Sequence, residues 1–445
     1  MTSHPPNNEA LHASSVRQSV GRILDVCVIP VVALVIMGRS RYGAAPAVEI
    51  SFLAITLIYA AKFLLGSPPA VRPNWIDWSL LLVTLTDAVS FFYSTYAANS
   101  LHGFKETLFL FLFYSFVRLH LRHEYQRVGI FLLIALFGLL LSAAAIFYFH
   151  GEYKSVTSLG FEDPTDFKRF FNYFRPFGTA AGEWITIYLI LLPFPVLLFI
   201  RFVNKAAVAW LFLIPAVTIL LTISATFSRG VYAAAAAFFL TAGLLFWVYG
   251  LTQFGRLLRF NLCALLALSA VLCLTPLMRP ALTTASMFKT TSQVRSFEAR
   301  VSLSTAARGI VKGHPLFGVG AYNFPMHSVG GGGGDSAYAG RVYNLFLQLL
   351  VEKGVVGLLA YCLLFFGFFK VSHDKVRLIQ GDAFQQAVVV LFMATFVALI
   401  VRDLSYSSIL DNEGVSTLLF FIFANNALAE ARPAGGASAA SGVRG

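Results

Sequence analysis

Apolar stretches of about 20 residues, the length that crosses the ~30 Å hydrocarbon layer of a bilayer as a helix, recur from one end of this sequence to the other. Within lipid every backbone N–H and C=O must find its partner inside the protein, which helices do segment by segment. Only 12% of the residues are charged, against about 25% in soluble domains, and the mean hydropathy is +0.74. An ordinary aqueous globule is excluded. The expected fold is an all-α polytopic membrane protein, with spans near 23–38, 47–65, 76–97, 104–119, 128–149, 184–200, 206–225, 231–250, 258–278, 344–369, 384–401 and 409–429. About twelve transmembrane helices therefore fill a single membrane domain over 23–430. A polar tail precedes them at 1–22, and an Ala/Gly-rich tail at 431–445 reads as disordered. The polar tail leads into the first apolar stretch without a small-residue cleavage site, as in an uncleaved signal anchor.

The formal charge of +12 does not point to nucleic acid, because the basic residues sit in short clusters between apolar segments. Such clusters set topology. With the first tail in the cytoplasm, the inner segments hold 16 Lys and Arg and the short outer loops hold only Arg39, Arg41, Lys105, Arg229 and Arg402. Two longer loops, about 150–183 and 279–343, then face outward. The loop between helices 9 and 10 is the larger, and long loops are exempt from the charge rule. Lys154, Lys168, Arg169 and Arg175 lie in the first; Arg279, Lys289, Arg295, Arg300, Arg308, Lys312 and Arg341 lie in the second. Singly, each reads equally well as a solvated surface charge. Together, two basic loops on one face suit an anionic ligand such as a phosphate.

In the second loop Val294, Phe297, Val301, Ala307, Ile310 and Val311 recur at helical spacing, which predicts an amphipathic helix over 293–313 near the membrane surface. Arg300, Ser304 and Arg308 fall on its other side. His314-Pro315 ends the helix and Gly318-Val319-Gly320 makes a turn. The five-glycine run Gly330–Gly334 reads as a hinge; it lacks the strand, helix and Lys of a phosphate loop. Cys27, Cys263, Cys273 and Cys362 all lie in apolar runs without metal-type spacing and read as buried free thiols. No Asp-x-Asp, HExxH or His/Cys cluster occurs, so no catalytic metal is expected. Asp87 lies mid-span, where a charge needs a reason. A buried bond to another helix is the preferred one, and a proton or cation pathway is the alternative.

Four stretches carry a likeness. Arg300 through Gly320 presents an Arg, a helical segment and His314-Pro315-Leu316-Phe317-Gly318-Val319-Gly320, with Asn323-Phe324 after it. Thr226-Phe227-Ser228-Arg229-Gly230 opens a mid-chain helix. Arg175-Pro176-Phe177-Gly178-Thr179 precedes another. Asn344 is followed by Gly354-Val355-Val356-Gly357. In this order, all outward-facing by the charge argument, they resemble the O-antigen ligase and polymerase superfamily. The likeness is densest over 170–365. It departs at Tyr343, where the family carries a His thought to take the acceptor's proton.

The resemblance implies a multi-pass glycosyltransferase of the bacterial inner membrane, with its active site facing the periplasm and no cofactor. Its donor would be a polyprenyl-diphosphate-linked glycan and its acceptor a glycan or lipid A-core, in O-antigen or exopolysaccharide biosynthesis. Membrane lipids and a regulator of chain length are the other implied partners. Arg175, Arg229 and Arg300 would clamp the donor diphosphate, since a guanidinium stays charged and offers phosphate a planar fork. Each of the three also suits an Arg snorkelling to headgroups. Arg229, between two apolar spans, is expected to have a buried partner. Arg229, Arg300 and Tyr343 are the candidate catalytic residues, with Arg308, His314, Asn344 and His327 in support, and Arg295 and Arg341 as further charge. A Tyr with a pKa of about 10 is a poor base at neutral pH; either His327, Asp335 or Glu183 takes that task while Tyr343 hydrogen-bonds the acceptor, or the departure marks a changed acceptor or a lost activity. The competing class is a twelve-helix transporter or flippase of a lipid-linked or anionic substrate. Such proteins bind near the midplane between repeats, and this sequence shows no evident internal repeat.

Overall fold

The computed structural model describes residues 8–39, 45–64, 72–121, 123–158, 181–225, 228–274, 291–328, 342–379 and 381–428. Arg175, Asp335, Arg341, the Gly330–Gly334 run, Thr226-Phe227 and the tail 431–445 lie outside them, as do the side chains of Glu183 and Arg295. Among the described residues the chain is helical, without strands. In chain order the helices are α1 (Asn8–Arg39), α2 (Ala45–Leu64), α3 (Trp75–Tyr93), α4 (Ala97–His120), α5 (Glu124–Ser158), α6 (Ala181–Leu191), α7 (Pro193–Phe202), α8 (Ala206–Leu211), α9 (Leu213–Ala225), α10 (Arg229–Val248), α11 (Phe254–Leu274), α12 (Thr291–Gly313), α13 (Phe324–Ser328), α14 (Leu345–Leu378), α15 (Ala383–Asp403), α16 (Ser408–Asp411) and α17 (Glu413–Ala427). Among the described residues seven helical stretches are long and apolar enough to cross a membrane, Ala206–Ser224 (α8 with α9) being one, and two shorter apolar ones, Phe52–Lys62 and Thr186–Phe202, accompany them. This is a multi-pass, all-α membrane protein.

The departures from the sequence reading have local causes. The single span expected at 184–200 is broken at Leu192, because Pro193 and Pro195 lack an N–H and crowd the carbonyls four residues back. Pro215 does the same to the span expected at 206–225, which divides at Phe212. α5 runs on to Ser158, into what was expected to be loop. The thiols are less buried than expected: Cys27 and Cys263 are half-buried, and Cys362 is exposed on α14.

α15 and α17 are apolar around most of their circumference and occupy the middle of the bundle. Phe131 of α5, Phe194 of α7, Phe392 of α15 and Phe421 of α17 meet there, with ring centroids 5.5 to 6.3 Å apart. Polar anchors fix the helices around this core. Asp87 of α3 is fully buried and pairs with Lys353 of α14, whose Nζ lies 2.5 and 2.7 Å from its two carboxylate oxygens. Thr107 of α4 also donates to Asp87, and Lys353 reaches the Tyr361 hydroxyl at 3.2 Å. The mid-span carboxylate thus ties three helices together, as the preferred sequence reading held.

The motif around His314-Pro315 explains itself at the level of backbone. α14 is broken inside at Gly354, which adopts φ +64°. A continuous helix would bond Val355 N–H to the Val351 carbonyl and Val356 N–H to that of Glu352. Here the loop supplies replacements. Val319 and Gly320 donate to the carbonyls of Val351 and Glu352 at 3.0 and 2.8 Å, while Val355 and Val356 donate to those of Pro315 and Leu316 at 2.9 and 3.2 Å. These four backbone groups of α14 are thereby satisfied across the break. The approach leaves no room for side chains: a Cβ on Gly318 would fall on the Glu352 backbone, and one on Gly354 on the Leu316 backbone. Asn323, buried, then locks the loop to α4 through Ser100 at 3.2 Å and to the end of α3 through Ser94, and its amide donates to the Val319 carbonyl at 2.8 Å.

α12 covers the 293–313 helix expected from periodicity, but its buried face differs. Leu303, Ala307, Ile310 and Val311 pack with Val319, Phe324, Val342 and Val351, whereas Val301 is exposed. The face is turned onto α14 and its clasped loop.

Candidate functional site

Three helix ends meet beside this clasp: the start of α10, the start of α14 and the end of α15. Asn344 is the N-cap of α14 and accepts from Leu347 N–H at 3.0 Å. Its own amide donates to the Leu404 carbonyl at 3.2 Å, joining α14 to the turn after α15. Gln348 receives the Val342 N–H at 2.8 Å and so fixes the residue before Tyr343. A Tyr side chain held between these anchors has little freedom.

A row of two phenol rings flanked by two guanidinium groups passes through the junction. Arg300 of α12 lies with its Cζ 4.7 Å from the centre of the Tyr343 ring. Tyr343 meets Tyr406 at 5.9 Å, and Arg402, from the last turn of α15, lies 4.5 Å over the other ring. Each Arg–Tyr contact is a cation–π interaction. Arg402 packs in turn against the first turn of α10: a Cβ on Gly230 would stand 3.2 Å from Arg402 Nη1 and 2.7 Å from Ser405 Oγ. Gly230 is what admits this approach, and Arg229 is the residue before it. Arg300 and Arg229 are exposed, Tyr343 is half-buried, and Tyr406 and Arg402 are buried.

Four sequence candidates, Arg229, Arg300, Tyr343 and Asn344, are therefore brought to one place. Arg229 is the first residue of α10, at the helix end, and is exposed. The buried guanidinium at this junction is that of Arg402. Reading the sequence assigned Arg402 only to a short outer loop and passed over Tyr406. The pairing of an Arg with a Tyr four residues on, at the end of an apolar span, was the available signal.

The remaining candidates lie apart from the row. Arg308 and His314 are exposed, and the His314 carbonyl accepts from Gly318 N–H at 3.2 Å in the turn. His327 of α13 packs edge-on against Tyr96, with ring centroids 6.0 Å apart. Burial, and secondarily the charge of His314, hold the His327 imidazole below its ordinary pKa, so it is neutral and able to accept a proton at neutral pH.

One further cluster has ligand-like geometry. The ligating atoms of His102, Glu106 and Glu413 all lie within 4.8 Å of one another. Arg39 is bonded to Glu106 and stands 3.4 Å from Glu413, so a fixed cation already occupies the carboxylates.

Residues 211–362 match the family described as O-Antigen ligase. The match contains Arg229, Arg300, Arg308, His314, His327, Tyr343 and Asn344, and ends before Arg402 and Tyr406. No curated protein matches the sequence.

Proposed function

With residues 211–362 forming a domain of the O-antigen ligase family, we propose that this membrane protein transfers or polymerises glycan at the periplasmic face of the bacterial inner membrane. The donor in this reading is a polyprenyl-diphosphate-linked glycan, and the product is O-antigen or exopolysaccharide. The chain crosses the bilayer twelve times, with the junction of α10, α14 and α15 on the outer side. The observation that supports the reading is the contact of Arg300 with Tyr343, joined through Tyr406 and Arg402 to the start of α10, where Arg229 lies.

The chemistry asks for a cationic clamp more than for covalent machinery. The acceptor hydroxyl oxygen bonds to the donor's anomeric carbon as the bond from that carbon to the diphosphate oxygen breaks. The electron pair leaves on the diphosphate, where charge grows toward the transition state. Arg229 and Arg300 meet that charge; fixed donors of this kind stabilise the transition state more than the ground state. The start of α10 adds the positive end of a helix dipole. Arg175 completes the clamp from the first outer loop. Arg308, exposed on α12, adds further positive charge, His314 closes that helix, and no metal is required for the leaving group.

Tyr343, held between its anchors, hydrogen-bonds the acceptor and orients it. The proton from the acceptor hydroxyl passes to a base, a role for which the neutral His327 is suited. A Tyr in place of the family's His favours the polymerase or exopolysaccharide branch, with a glycan acceptor, over ligation to lipid A-core. A chain-length regulator is then the expected protein partner.

Deleting the gene in its host, with wild-type and Arg300→Ala complements, tests the reading. Loss of surface glycan with lipid-linked glycan accumulating on the carrier, unrepaired by Arg300→Ala, is the expected result. Long chains on the carrier with bare core would identify a ligase, and single repeat units a polymerase. Unchanged lipid-linked and surface pools in the deletion strain would overturn the glycosyltransferase reading.

A further inference from the structure

Resting on that reading, we infer that Arg402 and Tyr406 are positioning residues for the transfer: a buried prop that sets how far the Arg229 end of α10 stands from Tyr343. The two elements belong to segments more than a hundred positions apart in sequence, Arg229 and Tyr343. What spans them is the short path from Gly230 through Arg402 to Tyr406.

The prop is built to hold one geometry. Arg402 is buried at 5% exposure and Tyr406 at 9%, so neither has the solvent access of the exposed Arg229 and Arg300. Arg402 Nη1 donates to Ser405 Oγ at 3.4 Å, and that hydroxyl donates to the Arg402 carbonyl at 3.1 Å. The guanidinium plane is thus tied to its own turn, with the Tyr406 ring against it and the α10 backbone at Gly230 packed beside it. On the far side the Tyr406 ring meets Tyr343, and Asn344 holds the Leu404 carbonyl, so the turn after α15 touches α14 twice. Asp403 braces the next stretch, accepting from Ser408 N–H at 3.1 Å, Ser408 Oγ at 2.5 Å and Ile409 N–H at 2.8 Å. A turn braced at both ends and packed between two reactive elements sets their separation. An error of one ångström in such a separation costs about 10²-fold in rate.

A planar guanidinium against a ring is not replaced by an ammonium on a flexible stem. Arg402→Lys is therefore expected to behave like Arg402→Ala. For Tyr406 the ring is the working part, so Tyr406→Phe is expected to restore the activity lost in Tyr406→Leu.

The test uses the full chain in lipid nanodiscs, with lipid-linked glycan extracted from the deletion strain as donor and release of polyprenyl diphosphate as readout. Arg402→Ala, Arg402→Lys and Tyr406→Leu should lose kcat by about 10²-fold with the donor KM little changed, and Tyr406→Phe should recover it. A raised donor KM at unchanged kcat in Arg402→Ala would make Arg402 a direct donor ligand and overturn the inference. Wild-type kcat in Arg402→Ala, or equal loss in Tyr406→Phe and Tyr406→Leu, would overturn it as well. Should Arg402→Ala fail to fold, the Tyr406 pair decides alone. If Arg229→Ala and Arg300→Ala also leave release intact, the site reading fails; if they abolish it while the Arg402 and Tyr406 variants do not, only the prop fails.

Discussion

The clasp at Gly354 and the row from Arg300 to Arg402 lie side by side and are made of opposite materials. The clasp is backbone on backbone: four hydrogen bonds between residues 315–320 and 351–356, with glycines where a side chain would collide. The row is side chain on side chain, drawn from α12, α14 and the end of α15 and abutting α10. Backbone complementarity tolerates almost no substitution, whereas a row of stacked groups tolerates repacking and loses mainly its chemistry. The two regions should therefore fail differently when altered.

The largest effect is expected in the clasp. Gly354→Val places a branched side chain at φ +64° and onto the Leu316 backbone, and should abolish folded protein, measured as monodisperse material after detergent extraction. A normal elution profile would show that the break is not held as described. Next comes the buried pair below it. Asp87→Asn leaves Lys353 buried without its counter-charge, a loss of about 3–5 kcal/mol visible as a lowered thermal midpoint, and Asp87→Asn with Lys353→Met should recover part of it. An additive double variant would mean the pair is not coupled.

Beside the row, at the start of α10, Arg229→Ala should reduce transfer by about 10²–10³-fold, the cost of losing one donor to a developing oxyanion. Its thermal midpoint should match wild type, which separates it from the clasp variants; a lowered midpoint would make Arg229 structural. The smallest effect concerns pH. His327 has a depressed pKa, so as a base it is active when neutral and should lose activity only as pH falls through a value below about 6.5. His327→Gln should lower the rate and flatten that acid limb; a limb unchanged in the variant removes His327 from the proton path.

The comparison also marks what a sequence displays. Helices were legible because each apolar run announces itself, and the clasp was legible as a motif because its glycines and His-Pro are contiguous. Its meaning was not, because a helix break filled by a preceding loop has no local signature. Arg229, Arg300 and Tyr343 could be picked out by resemblance, since each lies in a recognisable stretch. Arg402 looked like one loop charge among five, because no spacing rule links it to Gly230 across so much chain. Lys353 was readable and was missed: a Lys in one apolar run and an Asp in another are natural partners, as the Asp87 contact demonstrates. The face of α12 was misassigned at Val301 because periodicity gives a stripe but not the partner it meets.

The break in α14 bears on how the protein is made. The turn at Gly354 cannot complete its own hydrogen bonding, and a bare peptide group in hydrocarbon costs several kcal/mol. The partners it needs, residues 315–320, leave the ribosome before it does. The order of synthesis thus delivers the patch ahead of the gap, and the two halves of α14 meet a loop that has already been made. Placing 291–328 after α14 in the chain order would remove that head start, turning a folding step into a race with degradation.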